Sequence, residues 1–367
     1  VRVLIAPDKF AGTLSAVEAA EAIAAGWRQQ APDDEVVRVP MSDGGPGFVD
    51  VLQAALGGEL AALTVTGPLG ESTPATLLLV GDTAYVESSQ ACGLDLIEAP
   101  NREPERASTY GVGELIVAAV EAGAKRIVIG LGGSGTNDAG AGMLAALGAT
   151  AEPQGVLQQG GSALQQLTSI DVTPARERLE GIELLAASDV DNPLLGLRGA
   201  TNIFGPQKGV EAERIPPLDA ALENLATLVD RQLADSKGAG AAGGLGYALM
   251  LVGASRVPGI ETIIDAVKLA EHAKTVDLVL TGEGGFDYQS ASGKVVSGVA
   301  KVAGDAIRPC VVLAGQVLVG AREMRVMGVQ SAYSLVDAVG KEAAMGQPAE
   351  SLAALAARVA RTWSRSI

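Results

Sequence analysis

The sequence predicts an α/β protein of two domains, one of them built from both ends of the chain. Three observations lead there. Apolar runs alternate with amphipathic helical segments near the N-terminus and again near the C-terminus, the pattern of parallel sheets. Between these ends, three strand-like runs follow one another with no helix, so they should pair antiparallel. The length, 367 residues, exceeds one ordinary domain. The expected division is residues 1–58 with 262–367 as the discontinuous parallel-sheet domain and 59–261 as an inserted mixed α/β domain. A ligand is expected in the cleft between them, at the carboxyl ends of the strands.

Taken in order, "VRVLIAP" reads as a strand. "SAVEAAEAIAAGWRQQ" reads as an amphipathic helix, with Ser15 as N-cap and Glu18 at capping-box spacing. "EVVRVP" is a second strand, and "GFVDVLQAALGG" a helix that stops on glycines. "ELAALTVTGPLG", "ESTPATLLLVG" and "DTAYVES" are the three strand-like runs joined by short turns. The helix "YGVGELIVAAVEAG" and the strand "RIVIG" come next. Residues 151–166, rich in Gln and Gly, read as a surface excursion. "IELLAASDV" is a strand followed by a long loop to Val210, and "LDAALENLATLVDRQLA" a helix. Alternation then resumes with "TVDLVLTGEG", "KVVSGVAKVAG", "RPCVVLAGQ", a strand within "RVMGVQSAYSLV", and the terminal helix "AESLAALAARVARTW". About five strands would fill the parallel sheet.

Composition excludes several classes. Asp and Glu number 43 against 27 Lys and Arg, a formal charge of −16, which opposes binding to nucleic acid or to an anionic membrane. Aromatics are only 3%, too few for base-stacking platforms. No apolar run approaches the roughly 18 residues of a membrane span. The N-terminal stretch lacks a signal-peptide core, so a cytoplasmic location is expected. Cys92 and Cys310 form no metal or redox motif and read as reduced thiols. The single histidine, His272, is expected on the solvated side of a helix, which makes a Ser-His-Asp triad or a multi-histidine metal site improbable.

Residues 130–143, "GLGGSGTNDAGAGM", follow a strand and precede a helix, as phosphate loops do. They also match the spacing G-x-G-x-x-G. With 47 glycines, that spacing should arise by chance about once, and it recurs at Gly238. Such a site also wants an acidic residue at the next strand end some 20 positions on, where this chain has the Gln-rich excursion, so an NAD site is disfavoured. The Walker pattern fails as well, because Lys294 is followed by Val295 and the upstream glycine position holds Tyr288. More informative are polar clusters at expected strand ends: Asp8, Lys9 and Ser15; Asp43; Ser134, Thr136, Asn137 and Asp138; Asp189, Asp191 and Asn192; Glu283, Asp287, Gln289 and Lys294. Any one alone is most often a cap or turn. All at carboxyl ends together would supply carboxylates for Mg²⁺, amides for phosphate and a base for a hydroxyl.

Seven ordered motifs carry a specific resemblance: "IAPDKFAGTLSAVEAA", "SDGGPGFVD", "TYGVGELI", "GLGGSGTNDAGAGM", "NPLLG…GAT…FGPQKG", "GAGAAGGLG" and "TGEGGFDYQSASGK". The chain resembles, over almost its whole length, the bacterial glycerate kinase family of the glycerate 2-kinase type. The resemblance implies transfer of the γ-phosphate of ATP, with Mg²⁺, to D-glycerate. It also implies a flavodoxin-like domain from both chain ends and an inserted domain of restriction-endonuclease-like architecture. Phosphoryl transfer is mostly alignment and charge neutralisation. With that chemistry, Asp189 is the first choice for the base, with Asp43 and Asp287 as alternatives. Asp189 and Asp287 are the Mg²⁺ candidates, and Lys9 and Lys294 could bridge phosphate oxygens. Nucleotide contacts are expected from Gly132, Gly133, Ser134, Thr136, Asn137, Asp138, Glu283 and Lys294. Asp8, Ser15, Arg198 and Lys208 are the acceptor-side candidates, with Arg102 beside Arg198 as a carboxylate clamp. Lys208 could equally cap a turn. The chain departs from the family at Ala11, where Lys is common, at Pro46 and Phe48, where "DGGEGT" is common, and at Ala139, where Gly is common. A kinase for a related small hydroxy acid and a ligand-binding relative without turnover are the other readings. A homodimer is the default assembly.

Overall fold

The computed structural model describes residues 1–291 and 295–364. In chain order the strands are β1 (Arg2–Ile5), β2 (Glu35–Arg38), β3 (Glu59–Thr66), β4 (Ser72–Val80), β5 (Thr83–Glu87), β6 (Arg126–Gly130), β7 (Thr150–Glu152), β8 (Ser169–Asp171), β9 (Glu183–Ala187), β10 (Ser255–Val257), β11 (Leu278–Phe286), β12 (Cys310–Val317) and β13 (Ser331–Ser334). The chain has an α/β fold with one parallel and one mixed sheet and divides into two compact units. The first comprises Val1–Asp43, Asp50–Gly57 and Ile260–Ile367; the second comprises Gly44–Val49 and Gly58–Gly259.

In the first unit the strand order is β13-β12-β11-β1-β2, and every pairing is parallel. Parallel neighbours need crossovers. The helices Ala16–Gln30 and Val295–Asp305 provide them, between β1 and β2 and between β11 and β12. Val3, Leu4 and Ile5 are fully buried, as expected of a strand covered on both faces. On one face Val3, Ile5, Leu280 and Leu313 form a core with Ile23 and Trp27 of the first helix and Leu352 of the helix Pro348–Trp363. That first helix begins with the capping box read from the sequence: Ser15 Oγ accepts from Glu18 N, and Glu18 Oε2 accepts from Ser15 N at 2.9 Å.

In the second unit the order is β10-β9-β6-β5-β4-β3. β10, β9, β6 and β5 run parallel, and β5, β4 and β3 pair antiparallel through short turns. Two sequence expectations need correction here. The stretch from 151 to 166 is not a bare surface excursion: Val156, Leu157, Ala163 and Leu164 are buried in the core, flanked by the β7–β8 ribbon. The expected loop to Val210 contains a helix, Ala200–Lys208. With Gly205 and Pro206 inside it and no clear apolar stripe, its sequence hides a helix that tertiary bonds hold in place. His272, in the short helix Leu269–Lys274 of the first unit, is partly exposed.

Candidate functional site

In the first unit the adjacent strands β11, β1 and β2 deliver Glu283, Asp8 and Asp43 to their carboxyl ends. The backbone beyond β1 is tied to β11, because Asp8 N donates to Gly282 O at 2.8 Å. Lys9 N donates to Asp8 Oδ1 at 2.7 Å. Burial, and after it the negative charge of Asp43, push the Asp8 carboxyl up to about 7 despite that bond and the Lys9 charge; Glu283 adds to the rise. Glu283 is itself only 7% exposed. The like-charged neighbours of Asp8 thus favour a proton on it. Among the described residues no three or more acidic, histidine or cysteine side chains form a ready-made metal cage. Mg²⁺, however, usually takes only one or two carboxylates and completes its shell with water and substrate phosphate. One or two carboxylates of this trio suit that mode. Asp287 is partly buried, and its N–H donates to Ser290 Oγ at 3.1 Å. The Ser15 hydroxyl is engaged in its helix cap, donating to Glu18 Oε2 at 2.8 Å. Lys294 lies outside the described residues.

In the second unit the glycine loop after β6 is pressed by the segment Gly44–Val49. A Cβ on Gly130 would stand 2.5 Å from Gly44 O, and one on Gly132 would overlap Gly45 Cα. These glycines therefore allow backbone to approach backbone. Glu87, at the end of β5 and 5% exposed, anchors the pressing segment. Its Oε2 accepts from Gly47 N at 3.0 Å and Val49 N at 3.3 Å, and its Oε1 accepts from Ser89 Oγ at 2.7 Å.

Beyond the glycines the loop turns inward. Thr136, Asn137 and Asp138 are fully buried. Asp138 accepts from Thr109 N (2.9 Å), Thr109 Oγ1 (2.8 Å), Gly140 N (3.0 Å) and Gly142 N (3.2 Å). Burial holds its carboxyl above the usual range even so. Asn137 Nδ2 donates to Thr201 Oγ1 at 2.9 Å. At the other end of the same helix Lys208, 2% exposed, donates from Nζ to Ser134 Oγ at 2.9 Å and to Thr136 O at 2.7 Å. Burial depresses the Lys208 ammonium to about 8, against the attraction of Cys92 and Asp138. Lys208 thus neither caps a turn at the surface nor projects into solvent; it braces the loop from inside. Of the candidate nucleotide contacts here, Gly132, Gly133 and the rim of Ser134 reach the surface. Ala139, where glycine is common in the family the sequence resembles, holds φ +53°, a conformation that glycine adopts without strain.

Asp189 follows β9 and is partly buried; its Oδ1 accepts from Gly259 N at 3.0 Å. Asp191 pairs with Arg256 at 2.7 Å and Lys237 at 3.5 Å. Arg198 is exposed, its carbonyl accepting from Asn192 Nδ2 at 2.8 Å. Arg102 is partly buried, its Nε is buried without a partner, and its Cβ side lies against Gly209, next to Lys208. Sequence reasoning missed Glu87, Thr109 and Thr201. Glu87 left one signal, a carboxylate closing the alternating run "TAYVES", and Thr109 opens the motif "TYGVGELI".

Comparison with known proteins gives a consistent result. The model of the glycerate kinase family matches residues 3–364. The chain is 42% identical over 345 residues to a protein named glycerate kinase from Bacillus subtilis (strain 168), covering 92% of this chain and 90% of the relative. It is 42% identical over 349 residues to glycerate 2-kinase of Escherichia coli (strain K12), covering 93% and 92%. A crystal structure of a protein assigned as glycerate kinase 2 from Salmonella typhimurium LT2 superposes with a TM-score of 0.82 at 38% identity, covering 99% of this chain and 98% of that one.

Proposed function

The chain belongs to the glycerate kinase family, and from that premise we propose that it transfers the γ-phosphate of ATP, with Mg²⁺, to the 2-hydroxyl of D-glycerate. The observation that carries this is the identity to a glycerate 2-kinase across nine-tenths of both chains. In the reaction the acceptor hydroxyl oxygen forms a bond to the γ-phosphorus as the bond to the β–γ bridging oxygen breaks. ADP leaves, and the hydroxyl proton passes to a base. Asp189 is proposed as that base: it stands at a strand end, partly buried, with one carboxylate oxygen oriented by the Gly259 N–H. One or two carboxylates among Asp8, Asp43 and Glu283 suit Mg²⁺, with Asp287 the alternative; when bound the ion would neutralise phosphate charge. Lys9, beside them, is proposed to meet phosphate oxygens. For the acceptor carboxylate Arg102 is preferred over Arg198. Its guanidinium has a buried nitrogen without a partner, a state that a planar carboxylate would relieve.

The test is ADP release from purified protein with MgATP and D-glycerate, coupled to enolase without a phosphoglycerate mutase, so that only a 2-phosphate product reports. Wild type should respond to glycerate. Asp189→Asn should lower kcat by about 10²- to 10⁴-fold with ATP affinity kept. An unchanged kcat removes Asp189 as base, and no glycerate-dependent ADP release overturns the function.

A further inference from the structure

The first unit contains a cavity of about 190 Å³ at the carboxyl ends of β11 and β12. Its place in the fold ties it to the acidic trio: Phe10, Ala11 and Thr13, on the segment that follows Asp8, line it, and Gly284 stands on β11, the strand that carries Glu283 on its other face. Drug-sized ligands need pockets of about 300–1,000 Å³. This one is too small for a whole nucleotide and suits a single flat ring whose substituents lead out toward the trio.

Its walls have the matching chemistry. Gly284 and Gly315 contribute no side chain, so part of the wall is bare backbone. Leu335, Val336 and Met345 supply apolar surface, and Met345 is 57% exposed, a thioether held in solvent with no core to fill. Methionine sulfur makes favourable contacts with aromatic rings. Gln316 and Lys341 are exposed lining residues. A glutamine amide offers one acceptor and two donors, which complements the paired N1 acceptor and N6 amino donor on adenine's edge. Lys341 is a cation where the anionic tail of a nucleotide would pass. Ala11, with a single methyl as its side chain, leaves this rim open. The cavity of about 650 Å³ in the second unit, lined by Leu69, Arg106 and Gln166 among others, borders none of the proposed catalytic residues.

We infer that the cavity walled by Gly284, Gly315, Val336 and Met345 is the subsite for the adenine base of ATP, with Gln316 reading its polar edge. The inference rests on the proposed kinase function but has its own readout.

Photolabelling of wild type with 8-azido-ATP, with and without excess MgATP, should mark a peptide from residues 335–346, and MgATP should protect it. Val336→Trp, which fills the slot, should raise KM for ATP at least tenfold while KM for D-glycerate stays within about twofold. Gln316→Ala, an exposed change that folding tolerates, should lower the preference for ATP over GTP about tenfold. A label on another peptide, with 335–346 clean, overturns the assignment, as does an unchanged KM for ATP in a folded Val336→Trp. The two claims separate cleanly. A protected label in the cavity without glycerate-dependent ADP release sinks the function and keeps the subsite; turnover with the label elsewhere does the reverse.

Discussion

At the carboxyl ends of β11, β1 and β2, three carboxylates crowd one another until burial and like charge hold a proton on Asp8 up to about pH 7. At the carboxyl end of β6 the second unit also gathers charge, yet there Asp138 accepts four hydrogen bonds and Lys208 donates two, all in the interior. Both regions come from motifs rich in Asp, Gly and Ser, and their residue types alone do not separate them. The difference lies in burial and in the sign of the neighbours: Asp138 and Lys208 are buried and hydrogen-bonded, whereas Asp8 shares its surroundings with two further carboxylates. Saturated buried charges hold a loop in one shape. Carboxylates held close together raise one another's affinity for a proton or a cation.

Three substitutions sharpen or break this contrast. The largest effect is expected from Asp138→Ala, which strands the Thr109, Gly140 and Gly142 donors in a dry site. Urea unfolding should show a loss of about 4 kcal/mol, and a loss below about 1 kcal/mol would mean that the network is not saturated scaffolding.

Lys208→Met should cost less, about 2 kcal/mol, because it removes an expensive buried charge along with the partner of Ser134 Oγ and Thr136 O. Its pH dependence has a definite sign. Lys208 is depressed from 10.5 to about 8 in the folded chain, so the unfolded chain binds the extra proton between those values. Wild type therefore gains stability relative to the variant as pH rises from about 8 to 10.5. A flat difference over that window would place the lysine in contact with water.

The smallest effect, with the opposite sign, belongs to the acidic trio. The folded chain holds the Asp8 proton to about pH 7 and the unfolded chain only to about 3.8, so wild-type stability falls as pH rises between those values. Asp8→Asn removes that penalty and should be more stable than wild type by about 1–2 kcal/mol at pH 8, with the gap shrinking toward pH 5. Equal stability at both pH values would break the contrast between the regions.

Much of the fold was legible because its causes are local. The Ser15 cap works through a residue three positions on, and the antiparallel run of β3, β4 and β5 follows from turns too short for a crossover. The helix Ala200–Lys208 was not legible. It carries Gly205 and Pro206, and what holds it are bonds from Thr201 to Asn137 and from Lys208 to Ser134, across more than 60 residues of sequence. The candidate site divides in the same way. Asp8, Asp43 and Asp189 stand out in the sequence as polar residues past strand ends and Glu283 as one near the end of a strand, whereas Glu87 becomes important only because the Gly44–Val49 segment lies over it. No described helix is long and apolar enough to cross a membrane.

The sequence by itself determined the α/β class, the order of most elements and the family, since alternation, caps and ordered motifs are written along the chain. Only the tertiary structure decided that the glycines of "GLGGSG" admit a neighbouring backbone, that Asp138 and Lys208 are interior struts, and that Asp8 meets Asp43 and Glu283. The physical reason is that burial and like-charge proximity belong to pairs of residues brought together by the sheet. Asp8 and Gly282 hydrogen-bond across 274 positions, and no local pattern records which distant group will take a partner.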